Sequence, residues 1–270
     1  MDLVSLYQQY VALGLDKNPD FYNINLIRLT HNSTSLEGSQ LTEGEVKLLV
    51  DDGITPSSSK LSDVLMVVDH HAALRYVLGL LESKVFIQEP ELKRIASYVK
   101  RNTGSRYQTA VGEFDETKGD YRLSSAFTVY DDEKGQRQVM NYLKPTAIPA
   151  AVKQFLHALP KGIAHVAPGV EGAYRFAARV HYNLRMIHPF GDGNSRTSRL
   201  VMNYVQGYLG YPLTPISLES KKDYLIAFAK SQEMGDPKPI EDFVLLQAAR
   251  YFSESLKQTK KVRHKHFFLW

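Results

Sequence analysis

Apolar residues recur at helical spacing through most of this chain, and glycine or proline stands where the spacing breaks. Leu3, Leu6, Tyr7, Tyr10 and Val11 predict a first helix that stops near Gly14. Leu26, Ile27 and Leu29 sit in a second, over Asn23 to Leu36, with Gly38 as its terminator. Thr42 and Glu45 form a capping-box pattern ahead of Val46, Leu48 and Leu49, and Gly53 closes that helix. A turn-rich connector, Ile54 to Lys60, leads to a long apolar helix over Ser62 to Leu81. Another follows over Pro90 to Arg101, with Gly104 beyond its end. The pattern then changes: Ser124 to Tyr130 and Gln136 to Leu143 are short β-prone runs around the polar turn DDEKG, a hairpin expected to be the only sheet. Helical spacing returns over Ile148 to Leu159, Ala173 to Ile187, Leu200 to Tyr208, Asp223 to Gln232 and Pro239 to Leu256. The expected fold is mainly α, a helical bundle with one β-hairpin.

Composition narrows the class. With 270 residues the chain can bury a substantial core as one large domain or two small ones. A net charge of +4, from 33 basic and 29 acidic residues, is too small to argue for nucleic acid as a partner. The lack of cysteine removes disulfides, thiolate metal sites and a cysteine nucleophile, and it fits the cytosol. The start, MDLVSLYQQYV, is amphipathic and carries Asp2, unlike a secretion leader, and no apolar run is expected to reach bilayer-spanning length. A cytoplasmic protein without a membrane partner is the expectation. The basic stretch from Lys257 to Lys265, followed by FFLW, reads as a solvated helix end whose cations complement the helix dipole.

Chemistry concentrates between the helices ending at Ile187 and resuming at Leu200, where the chain reads HPFGDGNSRTSR. Pro189, Gly191 and Gly193 turn the backbone there. A glycine-containing loop that runs into a helix start presents N–H groups at the positive end of the dipole, a phosphate cradle. His188 adds a base, Asp192 a hard oxygen ligand, and Asn194, Arg196 and Arg199 further donors. Phe190 reads as a core anchor, His181 as structural, and His70 and His71 face different directions, so they form no metal pair. Lys221 and Lys222 read as solvated.

This stretch resembles the signature of the Fic (Fic/Doc) family, H-P-F-x-D/E-G-N-G/K-R. Eight of its nine positions agree, from His188 to Arg196, with Ser195 as the departure, and Arg199 matches a second arginine of many members. Upstream, Ser33 to Gly38 reads STSLEG and resembles the family's inhibitory motif S/T-x-x-x-E-G/N at Ser33, Glu37 and Gly38. That placement resembles the subclass with an N-terminal inhibitory helix. The implied organisation is an N-terminal helical region with the inhibitory motif over 1–85, a Fic core over 86–256 and a basic, aromatic tail over 257–270.

What the resemblance implies is a Fic-like helical bundle with a hairpin flap and a self-inhibited protein adenylyltransferase, moving AMP from ATP to a protein hydroxyl. His188 would be the general base, since imidazole titrates nearest neutral pH. Asp192 would hold Mg²⁺. Gly193, Asn194, Ser195 and Arg196 would surround the α- and β-phosphates. Arg199 would reach the γ-phosphate once Glu37 releases it. Asn141, Tyr142, Leu143 and Lys144 of the flap would lie nearest the nucleotide, Tyr224 near the adenine, and a target protein would pair along the hairpin as an added strand. Competing readings are removal of AMP or transfer of another phosphate group on the same fold, a nucleotide-binding regulator that transfers nothing, and, more remotely, a DNA-binding regulator. The sequence leaves open a homodimer whose dissociation lifts inhibition.

Overall fold

The computed structural model describes residues 2–57, 59–132 and 134–267, with side chains described as far as Thr259. Its elements in order are α1 (Leu3–Ala12), α2 (Pro19–Ser35), α3 (Glu43–Asp51), α4 (Leu61–Glu82), α5 (Glu89–Val99), β1 (Arg106–Thr109), β2 (Gly112–Asp115), β3 (Phe127–Asp131), β4 (Arg137–Asn141), α6 (Ile148–Ala164), α7 (Val170–Ile187), α8 (Asn194–Tyr208), α9 (Lys221–Met234) and α10 (Lys238–Phe267).

The starts of α2 and α3 follow side-chain caps. The Asn18 amide oxygen accepts from the N–H groups of Asp20 and Phe21, and Pro19 occupies the first turn, so α2 begins four residues before its apolar spacing does. At α3 the expected capping box is present: Thr42 N–H donates to Glu45 and Glu45 N–H donates to Thr42 Oγ1.

Two antiparallel hairpins stand where one sheet was expected. The flap hairpin, β3 with β4, pairs Phe127 with Asn141 and Asp131 with Arg137. The additional one pairs Arg106 with Asp115 and Thr109 with Gly112. Its strands are four residues long and mostly polar, too short for alternation to declare them.

Another correction concerns α4, which is long and apolar enough to cross a bilayer by length and composition. Its apolarity has a different outlet here. It packs against α2, α5 and α8, with Val67, Ala73, Leu74 and Val77 fully buried. Buried Asp69 on the same helix accepts from the N–H groups of Asn102 and Thr103, closing the turn after α5.

One apolar core runs through residues of α2 (Leu26, Leu29), α4 (Leu74), α5 (Ile95, Val99), α7 (Val180, Leu184), α8 (Leu200, Val205), α9 (Phe228) and α10 (Phe243). The N-terminal region therefore shares its core with the rest and α2 is fixed against it. A smaller cluster packs α1 against Tyr174, Tyr251 and Phe252. The last helix continues past the expected end at Leu256 to Phe267, and the side chains of 260–270, which carry most of the basic and aromatic tail, lie outside the described residues. Helices α7 and α8 lie side by side at the centre, so the six-residue bend joining them emerges on a rigid support.

Candidate active site

The bend starts with a strained residue. His188 ends α7 in the left-handed region, φ 50° and ψ 59°, uncommon for a residue with a Cβ. Its N–H still reaches the Leu184 carbonyl at 3.1 Å. Phe190 is 3% exposed and pairs with Tyr121 through an isolated bridge, anchoring the bend as its apolar character suggests. Asn194 staples the bend from inside: its side chain accepts from Phe190 N–H at 2.9 Å and donates to the Phe190 carbonyl at 2.8 Å. Its amide oxygen and one of its two amide N–H groups are thus committed to the loop, a bracing role beside the phosphate-binding role inferred from sequence. Gly193, at φ +76°, lies so near α5 that a Cβ there would come within 2.8 Å of Val99 Cγ1.

No side chain caps the first turn of α8. Its N–H groups, from Asn194 to Arg196, face the positive end of the helix dipole with Ser195 partly exposed beside them. Arg196 and Arg199, three apart on one face, are each 3% exposed. Arg196 donates to the Val99 carbonyl and to Asp192. Arg199 is held from α2: Nε donates to Ser33 Oγ at 2.9 Å, and Nη2 to the Ser33 carbonyl and to Glu37 Oε1, both at 2.8 Å. Gly38 follows at φ +109°, turning the chain away.

Asp192 is occupied on both oxygens. Oδ1 accepts from Gly193 N–H at 2.6 Å, and Oδ2 lies 2.6 Å from Lys100 Nζ and 3.4 Å from Arg196. Lys100, at the end of α5, also stands 3.7 Å from Glu116 Oε2.

The flap reaches the imidazole directly. The Tyr142 ring stacks on His188 with centroids 3.7 Å apart and planes 11° from parallel, while its hydroxyl bonds Thr128 Oγ1 at 2.7 Å. Asn141 and Lys144 are exposed, and the Leu143 carbonyl accepts from Arg122. Tyr224 is elsewhere: 2% exposed, with its hydroxyl bound to His181 Nε2 at 2.7 Å and to Arg185 Nη1 at 3.0 Å. Its ring is closed into the core, so it braces Arg185 and His181 and offers no face to an adenine. His181 is fully buried, in keeping with a structural role.

Electrostatics sets protonation. Burial, then the charges of Arg185 and Arg122, push His188 down to about 3, so its imidazole is neutral at pH 7; the residue as a whole is half-buried, with Nδ1 shut off from solvent. Burial pushes the Glu37 carboxyl up, but Arg199, with Arg185 and Arg196 behind it, outweighs that and holds it below the usual carboxylate range. Asp192 is held low likewise, Lys100 and Arg196 overcoming its desolvation. A neutral base, an uncapped helix start and three guanidiniums restrained by few carboxylates form a receptor for a polyanion next to a proton acceptor.

Of the residues singled out from sequence, the structure brings His188, Asp192, the start of α8, Arg196, Arg199, Ser33, Glu37 and Tyr142 of the flap into one neighbourhood. Sequence reasoning missed Lys100, Arg122 and Arg185. Arg185 had a faint signal, one turn before His188 on the helix feeding the bend. Lys100 ends a helix that the spacing predicts and Arg122 lies in a segment without periodicity, but both are distant in sequence from the bend and only folding brings them in.

Comparison with known proteins follows the same geometry. Residues 86–206 match the model of the Fic/DOC family. A protein adenylyltransferase Fic of Nematostella vectensis is 25% identical over 229 residues, covering 85% of this chain and 48% of its own length. One of Drosophila mojavensis is 26% identical over 216 residues, 79% of this chain and 38% of its own. The chain thus spans about half the length, or less, of these curated relatives. Among solved structures, a Fic-domain-containing signalling protein of Bacteroides thetaiotaomicron superposes with TM-score 0.78 over 97% of this chain and 98% of that one, at 22% identity. A segment of Fic-1 from C. elegans superposes with TM-score 0.74 at 18% identity, over 96% of this chain and 71% of that one. These likenesses establish the fold.

Proposed function

We propose that this chain, which carries a Fic/DOC family domain over residues 86–206, transfers AMP from ATP to a hydroxyl side chain of a protein and restrains itself through Glu37. The observation that carries the reading is the neutral imidazole of half-buried His188 beside the uncapped start of α8, with Arg196 and Arg199 on that helix. Relatives that match most of this chain carry the name protein adenylyltransferase, which supports it.

The target oxygen forms a new bond to the α-phosphorus as the bond to pyrophosphate breaks. His188, neutral at working pH, accepts the hydroxyl proton. Charge shifting onto the leaving pyrophosphate is met by the first-turn N–H groups of α8 and by Arg196, donors already in place. Arg199 serves the γ-phosphate only when Glu37 lets go, so the pair with Glu37 turns the nucleotide to an unproductive pose. The exposed outer face of the flap, with Phe127 64% and Val139 58% exposed, fits an extended target segment.

Asp192 is the residue that would hold Mg²⁺. Among the described residues no group of three or more histidine, aspartate or glutamate side chains could cage a metal. A single carboxylate nevertheless suits an ion that takes one or two carboxylates plus phosphate oxygens and water. Once bound, the ion would neutralise phosphate charge as a Lewis acid. The Lys100 ammonium on Oδ2 must yield for that to happen.

The test is intact-mass spectrometry of wild type, Glu37→Gly and Glu37→Gly/His188→Ala after incubation with ATP and Mg²⁺. A gain of one AMP in Glu37→Gly that the double variant lacks is expected. A gain of phosphate alone would assign the site to another transfer, and ATP binding without any gain would make it a nucleotide sensor.

A further inference from the structure

Arg122 is the least exposed arginine among the described residues, at 1%, and no described carboxylate pairs with it. A guanidinium so placed has lost its water and keeps its charge, so its donors must find acceptors. Every acceptor here is a backbone carbonyl. Nε donates to the His188 carbonyl at 2.7 Å, Nη1 to that of Ser124 at 2.5 Å and Nη2 to that of Leu143 at 2.5 Å. Its own N–H donates to the Pro189 carbonyl at 2.9 Å.

These four points belong to different parts of the site. Ser124 precedes β3 and Leu143 follows β4, so the fork grips both feet of the flap. His188 and Pro189 open the catalytic bend. The His188 carbonyl turns toward Arg122 because its residue is left-handed, and that bond, charge-assisted, supports a backbone conformation the residue would otherwise resist. Next to Arg122, Tyr121 bridges Phe190, widening the same seam.

We infer that Arg122 is a positioning residue that locks the flap and the His188 bend into one unit, so that a segment docked on the flap is delivered in register to the imidazole. The inference rests on the adenylyltransfer reading for its purpose, though the lock itself is independent of it. The stacking of Tyr142 on His188 is its visible result: one face of the base is covered by a flap side chain whose backbone Arg122 holds from the next residue. Nucleotide phosphates meet the other end of the bend, at α8, and Arg122 touches none of that machinery.

Two experiments separate the outcomes. In the Glu37→Gly background, Arg122→Lys keeps the charge and loses the fork. The turnover of AMP transfer is expected to fall about a hundredfold, the order of an ångström-scale misplacement, with KM for ATP within about threefold. Equal losses in nucleotide affinity and turnover, or turnover within about threefold, would overturn the inference. If Glu37→Gly transfers no AMP, the functional reading fails and the lock is judged by native-state hydrogen exchange on the wild-type chain. There the amides of Arg122, bonded to Pro189, and Tyr142, bonded to Ala126, are expected to open together with denaturant. Independent opening of the two would refute the lock even if the variant proved too unstable to assay.

Discussion

Arg199 Nη2 lies 2.8 Å from Glu37 Oε1 and 2.8 Å from the carbonyl oxygen of Ser33, across 162 and 166 residues of sequence. One guanidinium therefore closes two contacts with the end of α2, and a third through Nε to Ser33 Oγ. Glu37 is the outermost of the three, its side chain 30% exposed against 4% for Arg199.

On the proposed reading, that ordering separates inhibition from stability. Glu37→Gly removes the outer acceptor and leaves Arg199 seated on Ser33, so stability should fall by only about 1 kcal/mol, while self-labelling rises at least tenfold. Ser33→Ala removes an inner contact without freeing the side of Arg199 that faces Glu37. It should cost a similar stability and leave labelling near the wild-type level. Urea unfolding with a labelling assay on the two variants checks this; a Ser33→Ala variant as active as Glu37→Gly contradicts it.

Acid should unfold the protein through its histidines before its carboxylates. Burial holds His70, His181 and His188 below the ordinary value of 6.5, His188 at about 3, and lowers His31 and His71 as well. Below pH 6.5 the unfolded chain binds protons that the folded chain refuses. Their contribution is thus complete above 6.5 and drains away as the pH falls toward the folded values. Each such group lowers stability by up to about 1.4 kcal/mol per pH unit in that window. Glu37 and Asp192, with depressed values, add their loss only below the usual carboxylate range. Unfolding free energy measured at pH 7.5, 6.5 and 5.5 should fall modestly over the first step and more steeply over the second; a rise on acidification is the adverse result.

Lys100 Nζ lies 2.6 Å from Asp192 Oδ2, so its ammonium would compete with a cation for that carboxylate. Lys100→Met should let Mn²⁺, used as a spectroscopic stand-in for Mg²⁺, bind with half-saturation lowered about tenfold in the presence of ADP, equivalent to one charge-assisted hydrogen bond. A paramagnetic titration reads this without any turnover. Unchanged or weaker Mn²⁺ binding would show that the ammonium does not compete.

Gly193 combines positive φ with close approach, so alanine there meets both penalties. Gly210 has φ +81° and nothing within 4 Å of a would-be Cβ, so alanine there meets only the first. Gly193→Ala should destabilise by about 1–3 kcal/mol and weaken ATP binding, and Gly210→Ala should cost less and leave binding intact. Thermal melts with calorimetric ATP titration make the comparison; identical behaviour of the two variants argues against a cradle fitted to α5.

Much of this was legible before any coordinates. Although α8 starts ahead of its expected Leu200 and α10 runs past its expected end at Leu256, helical spacing and caps placed every α-helix, because each depends on side chains three or four positions apart. The twelve residues from His188 to Arg199 declared a bend and a helix start for the same reason, their chemistry being contiguous in the chain. Failures occurred where that locality ended. The polar first turn of α2 and the four-residue strands of the additional hairpin carry no periodic signal, and α4 is apolar enough to pass for a membrane span although its apolar residues pack on α2, α5 and α8.

The linear chain by itself determined which residues could act as base, phosphate donors and inhibitor, since residue type fixes pKa, charge and hydrogen-bonding capacity. Packing alone decided how they are used. It lowered His188 by shutting out water, sent the Asn194 amide back to Phe190 and closed Tyr224 into the core. It also brought Lys100 and Arg122 to the bend from 92 and 66 residues away. Desolvation and long-range pairing depend on what lies nearby in space, and no spacing rule along a polypeptide contains that.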